Sequence, residues 1–356
     1  VSRKKAGEAV AIAAARKALL AWYDRHARDL PWRRTRDPYA IWVSEVMLQQ
    51  TRVDTVIPYY ARFLARFPTP HALADAPIDD VLAHWSGLGY YRRARLLHEG
   101  AKAVVQSHGG VIPKAPEPRR ALPGVGRYTA GAIGSIAFDL PEPIVDGNVA
   151  RVLARLACVD TPLGARETER VLWETAAQFS QGARPGALNQ ALMELGACVC
   201  LPREARCDAC PIAKYCRARR EGRVSALPVP APKKAPRAVR LVALLAQAEQ
   251  ERVFLQRGAG SLFGGLWGVP MREGEGRETA EALAAELGIA GAIDATPRGR
   301  VKHVLTHRVF DVQVFSVPDA RAEERADLKA VNEQERKKLG IARLTRKVIA
   351  AGGKTS

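Results

Sequence analysis

Cys200, Cys207, Cys210 and Cys216 follow one another as C-x6-C-x2-C-x5-C, the feature that most limits how this 356-residue chain can fold. Two spacers long enough to loop back and one tight turn let four thiolates close around a single metal centre. Residues 200–216 would then be a compact knot. Spacing alone leaves the metal open. Zinc held by four cysteines usually shows two close pairs, and only one C-x2-C is present, so a four-iron cluster, zinc and disulfides all stand as readings. Cys158 and Cys198 remain, and they read as buried thiols that pack as small apolar groups. Thiolate ligation suits a reducing compartment.

The chain carries 55 Lys and Arg against 37 Asp and Glu, a formal net charge of +18. Such an excess points to a polyanionic partner, because each cation that neutralises a phosphate releases a condensed counterion. Charge kept merely for solubility is the bland alternative. With 47% hydrophobic residues the chain can bury two ordinary cores. The most apolar N-terminal stretch, residues 9–15, runs into Arg16-Lys17, too short to span a bilayer and without a convincing cleavage site. We expect a soluble, cytoplasmic protein.

Residues 10–222 read almost entirely as helix. Val53, Val56, Ile57, Tyr60, Phe63, Leu64 and Phe67 recur at three- and four-residue steps and stop at Pro68. Comparable stripes cover 90–107, 148–157, 168–179 and 186–197, punctuated by Pro-Thr-Pro at 68–70, Gly-Gly at 109–110 and the proline-rich 113–118. From 223 to 237 the composition turns to Pro, Ala and Lys, which predicts an extended linker. Short β-branched runs at 239–246, 253–256, 301–305 and 309–317, with one helix over 279–287, predict an α+β module. The expected plan is a mostly α region over 1–222, a linker over 223–237 and an α+β domain over 238–356.

Three segments carry candidate chemistry. Leu122-Pro123-Gly124-Val125-Gly126 separates two helical stretches and reads as a helix-hairpin-helix whose glycines, Gly124 and Gly126, bare backbone N–H groups to a phosphate. An ordinary interhelical turn is the competing reading. Asp146 opens a helix in Ile-Val-Asp-Gly-Asn-Val, where its carboxylate either caps free amides or faces a substrate, and Asn148 suits both roles. Glu45 sits inside the otherwise apolar Ile41–Leu48 run, where an unpaired ionised acid is expensive to bury. Either it is paired or it works. A desolvated glutamate keeps its proton towards neutrality, so Glu45 as donor and Asp146 as lasting anion divide the task of glycosidic cleavage.

At these residues the chain closely resembles the MutY-type adenine DNA glycosylases of the helix-hairpin-helix superfamily. Leu30-Pro31-Trp32-Arg33, Asp37-Pro38-Tyr39, the run Trp42 to Thr51, Leu122 to Thr129, Val145 to Val149 and the four cysteines carry the match. The resemblance implies a helical glycosylase region, with a six-helix barrel at about 37–138 and an iron-sulfur module from 8–36 and 139–222. It implies excision of adenine opposite 8-oxoguanine or guanine from double-stranded DNA after base flipping, by a monomer holding one [4Fe-4S] cluster. Glu45 would protonate the adenine, Asp146 would stabilise the sugar cation, and Tyr128 and Asn148 would shape the pocket. Arg28, Trp32 and Gln190 would frame the base, with Arg33, Gln49 and Thr51 beside them, while Leu48 and Gln50 would form the wedge that fills the vacated stack. Arg127 would join Gly124 and Gly126 at the phosphates, and Arg203 and Arg206 would present the cysteine loop to the DNA backbone. Relatives of the endonuclease III type cut the strand through a lysine Schiff base at the position of Tyr128. A phenol cannot form an imine, so the abasic site should stay uncut.

The C-terminal module resembles the Nudix-like domain with which such enzymes read oxidised guanine. Its catalytic option looks lost, since residues 281–289 read Glu-Ala-Leu-Ala-Ala-Glu-Leu-Gly-Ile, with alanines at 282 and 285 where metal-binding carboxylates are needed. The recognition turn is His303-Val304-Leu305-Thr306-His307, in which the family prefers Phe-Ser-His at the last three positions. Leu305 lacks a stacking ring, whereas Thr306 and His307 keep polar groups; two histidines merely bonded to neighbours is the alternative. At Gly268-Val269 relatives carry Glu-Phe, which we read as a packing change. Three rival readings stand beside it: a thymine-glycol glycosylase and lyase, opposed by Tyr128 and the C-terminal module; a non-catalytic DNA-binding protein; and a nucleotide pyrophosphohydrolase, opposed by the missing carboxylates.

Overall fold

A computed structural model describes residues 2–232, 235–259 and 263–352, with side chains from residue 11 onward. The chain forms two compact units, one of residues 1–74 and 99–233, the other of 75–98 and 234–356.

The first unit is helical around Pro38–Leu48, whose residues 39–47 are all buried. A helix apolar on every side can only be a core helix. Asp37 starts it by accepting from the amides of Tyr39 and Ala40, and Pro38 occupies the first turn, where its missing N–H costs nothing. The amphipathic Val53–Arg66 helix follows, burying Val56, Tyr60 and Phe63 as the stripe predicts. Pro116–Ala121 and Arg127–Phe138 are the two arms of the hairpin. Gly147–Ala157, Arg166–Ser180 and Pro185–Cys198 pack against one another.

The 223–237 stretch departs from expectation. Val224–Ala226 is a short 3-10 turn, and Leu227, only 2% exposed, clusters with Cys158 and Ala218. Arg155 Nε donates to Leu227 O at 2.8 Å, and the Leu163 amide to Val229 O at 2.9 Å. Three aliphatic residues among the prolines anchor the first half of the supposed linker to the helical unit. Residues 233 and 234 lie outside the described residues. Segment 75–98, placed by sequence within the barrel, groups instead with the C-terminal unit.

Among its described residues that second unit holds seven strands: β1 (Arg237–Ala246), β2 (Val253–Arg257), β3 (Trp267–Gly268), β4 (Met271–Glu273), β5 (Gly299–Val304), β6 (Arg308–Val317) and β7 (Leu328–Val331). One sheet runs β4-β1-β6-β5 and the other β3-β2-β7. β1 and β6 pair in parallel from Arg237 opposite Arg308 to Ala246 opposite Val317; the other pairings are antiparallel. Along β1, Leu241, Ala243 and Leu245 enter one core and Val242, Leu244 and Ala246 another, so both faces are covered, which explains its unbroken apolar run. The Gly276–Leu287 helix covers the second core and ends at Gly288. Within this unit Arg257 Nη2 reaches Asp79 Oδ2 at 2.6 Å and Tyr91 Oη reaches Ile341 O at 3.1 Å, two of the contacts that fasten 75–98. Among the described residues no helix is long and apolar enough to cross a membrane.

Candidate active site

A cavity of about 430 Å³ opens in the helical unit, within the size range of small-molecule sites. Glu45 and Tyr128 line it from the buried helix and the hairpin helix, Asp146 and Asn148 from the start of Gly147–Ala157, and Gln190 from Pro185–Cys198. Arg28, Trp32 and Arg33 approach from the 3-10 turn Pro31–Arg33 and the residues before it, and Leu48, Gln49, Gln50 and Thr51 form the rim. Gln50 takes a left-handed backbone with φ of 58°, a strained conformation for a side-chain-bearing residue and one common at functional rims.

Glu45 is 4% exposed, and its Oε2 accepts from Tyr128 Oη at 2.6 Å. Burial pushes its carboxyl up to about 7, Asp146 adds to the rise, and the Tyr128 hydrogen bond and Arg33 oppose it. Burial and the Glu45 and Asp146 charges raise the Tyr128 phenol well above its ordinary range, so it stays a donor. Asp146 does cap its helix, Oδ1 accepting from the Val149 amide at 2.7 Å, while Oδ2 takes Asn148 Nδ2 at 3.4 Å. Burial raises this carboxyl above its ordinary range too, and those donors and Arg151 only partly oppose the rise. The two acids thus sit in one cavity with opposite surroundings: one in apolar packing with a single phenol, the other ringed by N–H donors. Such a pair can give a proton and hold a negative charge at the same place.

Sequence reasoning missed three groups here. Glu194, wholly buried, takes both Arg28 and Arg33. Arg151 donates to Asn148 Oδ1 and to Gly196 O, both at 2.8 Å, and its Nε reaches Cys200 O at 2.8 Å. Arg155, 1% exposed, sends Nη1 to Cys200 Sγ at 3.2 Å and to Leu201 O at 2.7 Å. Spaced four apart on one helix, the two arginines join the Asp146 end of the cavity to the cysteine loop. A charged residue inside an apolar helical run was the available signal for all three. Gly196 also sets the spacing, since a Cβ there would lie 2.6 Å from Asn148 Cβ.

The four cysteines line one small cavity of about 30 Å³ with Arg155 and Arg206 on its wall. Among the described residues no group of three or more His, Cys, Asp and Glu side chains is drawn together as ligands of a metal ion. No disulfide involves these cysteines. Burial pushes the Cys210 thiol up to about 11 and raises that of Cys216. Arg203 and Arg206 are exposed on this loop. Cys158 is buried as expected, whereas Cys198 is only half-buried.

Of the other predicted residues of the helical unit, Gly124, Gly126 and Arg127 do not line the cavity. Gly124 has φ of 76°, which favours glycine, and Gly126 forms the N-cap of the hairpin helix without a side-chain cap. Arg127 stacks its guanidinium 3.7 Å from the centre of the Trp173 ring. In the second unit Leu305 packs against the core, its amide bonded to Arg308 O at 2.8 Å, and Thr306 Oγ1 lies 3.1 Å from Tyr90 Oη. His307, exposed, accepts the Arg237 amide on its carbonyl at 3.0 Å. Val269 is 2% exposed, and a Cβ on Gly268 would meet Thr345 Oγ1 at 2.9 Å.

Residues 43–178 match the family profile of HhH-GPD superfamily base excision DNA repair proteins, and residues 241–351 that of the NUDIX domain. An adenine DNA glycosylase of Rattus norvegicus is 50% identical over 229 residues, which cover 61% of this chain and 44% of the relative. The Homo sapiens adenine DNA glycosylase is 50% identical over 217 residues, 58% of this chain and 40% of the relative. A solved thermostable thymine-DNA glycosylase superposes with a TM-score of 0.52 at 30% identity, covering 58% of this chain and 95% of that one. The chain therefore belongs to the HhH-GPD superfamily of base excision DNA repair proteins, joined here to a NUDIX domain. Within that superfamily its similarity runs to the MutY-type adenine DNA glycosylases, although the alignments span less than half the length of these two mammalian relatives.

Proposed function

We propose that this protein removes adenine from double-stranded DNA by hydrolysing its N-glycosidic bond, acting on adenine opposite 8-oxoguanine or guanine. The observation that carries the reading is the Glu45 carboxyl, held at about 7 in a cavity it shares with a hydrogen-bonded Asp146. An adenine turned out of the duplex would enter between Trp32 and Gln190, leaving Leu48 and Gln50 at the emptied stack. Glu45, part-protonated near neutrality, gives its proton to a ring nitrogen and makes the base a better leaving group. Positive charge then grows on the sugar, and Asp146, whose anion the Val149 amide, Asn148 and Arg151 favour against burial, balances it until a solvent water adds to the sugar carbon and loses a proton. Tyr128 holds Glu45 in place and has no amine with which to open the sugar, so the product is an uncut abasic site.

Cys200, Cys207, Cys210 and Cys216 surround a common space, and an all-thiol donor set fits one [4Fe-4S] cluster. When bound, it would supply a rigid template for the loop bearing Arg203 and Arg206, which meet the DNA backbone. Gly124, Gly126 and Arg127 would seat further phosphates, and Leu305, Thr306 and His307 would read the base opposite adenine. We expect a monomer associated with DNA in the cytoplasm.

The test offers purified, brown protein duplexes that differ only in the base opposite adenine. Breaks should appear opposite 8-oxoguanine and guanine, not opposite thymine, and only after added alkali. Breaks without alkali, together with a borohydride-trapped adduct, would favour the strand-cutting alternative.

A further inference from the structure

Glu194 lies in the Pro185–Cys198 helix with its side chain wholly buried, yet no step above uses it. Its Oε1 accepts from Arg28 N at 3.0 Å and Arg28 Nε at 2.7 Å. Its Oε2 accepts from Arg28 Nη2 and Arg33 Nη2, each at 2.8 Å. Arg33 Nη1 closes the set on Arg28 O at 3.0 Å. All three side chains line the cavity that holds Glu45. Four donors on one buried carboxylate fix both guanidinium groups, because freeing either would strand a charge.

We infer that Glu194 is a positioning residue for base removal: its carboxylate clamps Arg28 and Arg33 to the cavity wall, balances the Arg33 charge beside Glu45 and leaves Arg28 Nη1 as a fixed donor for the bound base. The inference rests on Glu45 as proton donor. Burial alone would lift the Glu194 carboxyl, but the bonds from Arg28 and Arg33 hold it at about 2, so it is anionic wherever the enzyme works. Tyr23 and Cys198 also face it, and burial raises both, so neither contributes a charge near neutrality. The groups acting on Glu45 are Tyr128 from the hairpin helix, Asp146 from its helix N-cap and Arg33 from the 3-10 turn. Of these only Arg33 is cationic. Without the Glu194 anion its charge would act more strongly on Glu45, favour the ionised form against Asp146 and remove the proton needed for the reaction.

Full-length, iron-loaded Glu194→Gln, Glu194→Asp and Arg33→Met proteins test this. Two quantities are read for each: single-turnover adenine excision against pH, and the titration of the Glu45 carboxyl by carbon-13 NMR, assigned with Glu45→Gln. In Glu194→Gln the Glu45 midpoint should fall by about one pH unit, the alkaline limb of excision moving with it, an approximately tenfold loss above the midpoint. Glu194→Asp should restore much of both, and Arg33→Met should move the midpoint the other way. A midpoint unchanged in Glu194→Gln overturns the clamp. Should that variant fail to fold, an unshifted midpoint in Arg33→Met overturns it equally. Wild-type protein that excises no adenine sinks the reading of the function, while the carboxyl titration still judges the clamp.

Discussion

Tyr128 Oη donates to Glu45 Oε2 at 2.6 Å, tying the first turn of the hairpin helix to the acid buried at the centre of the helical unit. One hydrogen bond thus joins a segment with a phosphate-binding shape to the group we assign as proton donor. It also favours the ionised carboxylate, against the burial that favours the acid. Tyr128→Phe removes the restraint. The Glu45 midpoint should rise above about 7, and the alkaline limb of kcat/KM for adenine excision should move to higher pH by a comparable amount. A pH–rate profile of the variant checks this; a limb that moves down would show that the phenol acts otherwise.

Glu45 itself should cost stability. Its folded value of about 7 lies above the ordinary 4.5, so the protonated form is the one the fold prefers. Its contribution is fully present below pH ~4.5 and is lost as pH rises through about 7, on the order of 3 kcal/mol for the fully buried group. Glu45→Gln stays neutral at every pH. Denaturant melts should show the variant more stable than wild type above pH 7 by up to that amount, with the gap closing towards acid pH.

Gly196 is the point of closest approach between the Pro185–Cys198 helix and Asn148. Gly196→Ala would place a Cβ 2.6 Å from Asn148 Cβ and 3.0 Å from its carbonyl oxygen. The helices must part, at a cost of roughly 1–3 kcal/mol for an overpacked contact. Thermal melting should register the loss, and excision should fall further than stability does, because Asn148 and Asp146 shift together.

Cys210→Ala should give colourless protein lacking the cluster's visible absorption. The segment from 198 to 220 should then become protease-sensitive, since ligation of the metal by all four cysteines would be what ties this loop together. A brown variant with an unchanged digestion pattern would argue against a four-thiolate cluster.

Much of this organisation was legible in the sequence, for local reasons. The Val53 stripe and the Gly124 turn are each set by neighbours within a few residues. Glu45 stood out because a charge inside an apolar run is unusual wherever it lies. Glu194 gave the same signal, but its partners Arg28 and Arg33 are more than 160 residues away, and sequence offers no view of such pairing. Distance also hid the grouping of 75–98 with the C-terminal unit, which rests on Asp79 meeting Arg257 and Tyr91 meeting Ile341. In the 223–237 stretch composition misled, since prolines and lysines masked Val224, Leu227 and Val229, three aliphatic anchors against Cys158 and Ala218.

The most direct measurement is single-turnover excision by wild-type and Glu45→Gln proteins on a duplex with adenine opposite 8-oxoguanine, with binding of the same duplex measured alongside. The account predicts binding preserved and adenine release slowed by roughly 10²–10⁴-fold, the usual contribution of a positioned general acid. Undiminished release by Glu45→Gln would contradict it.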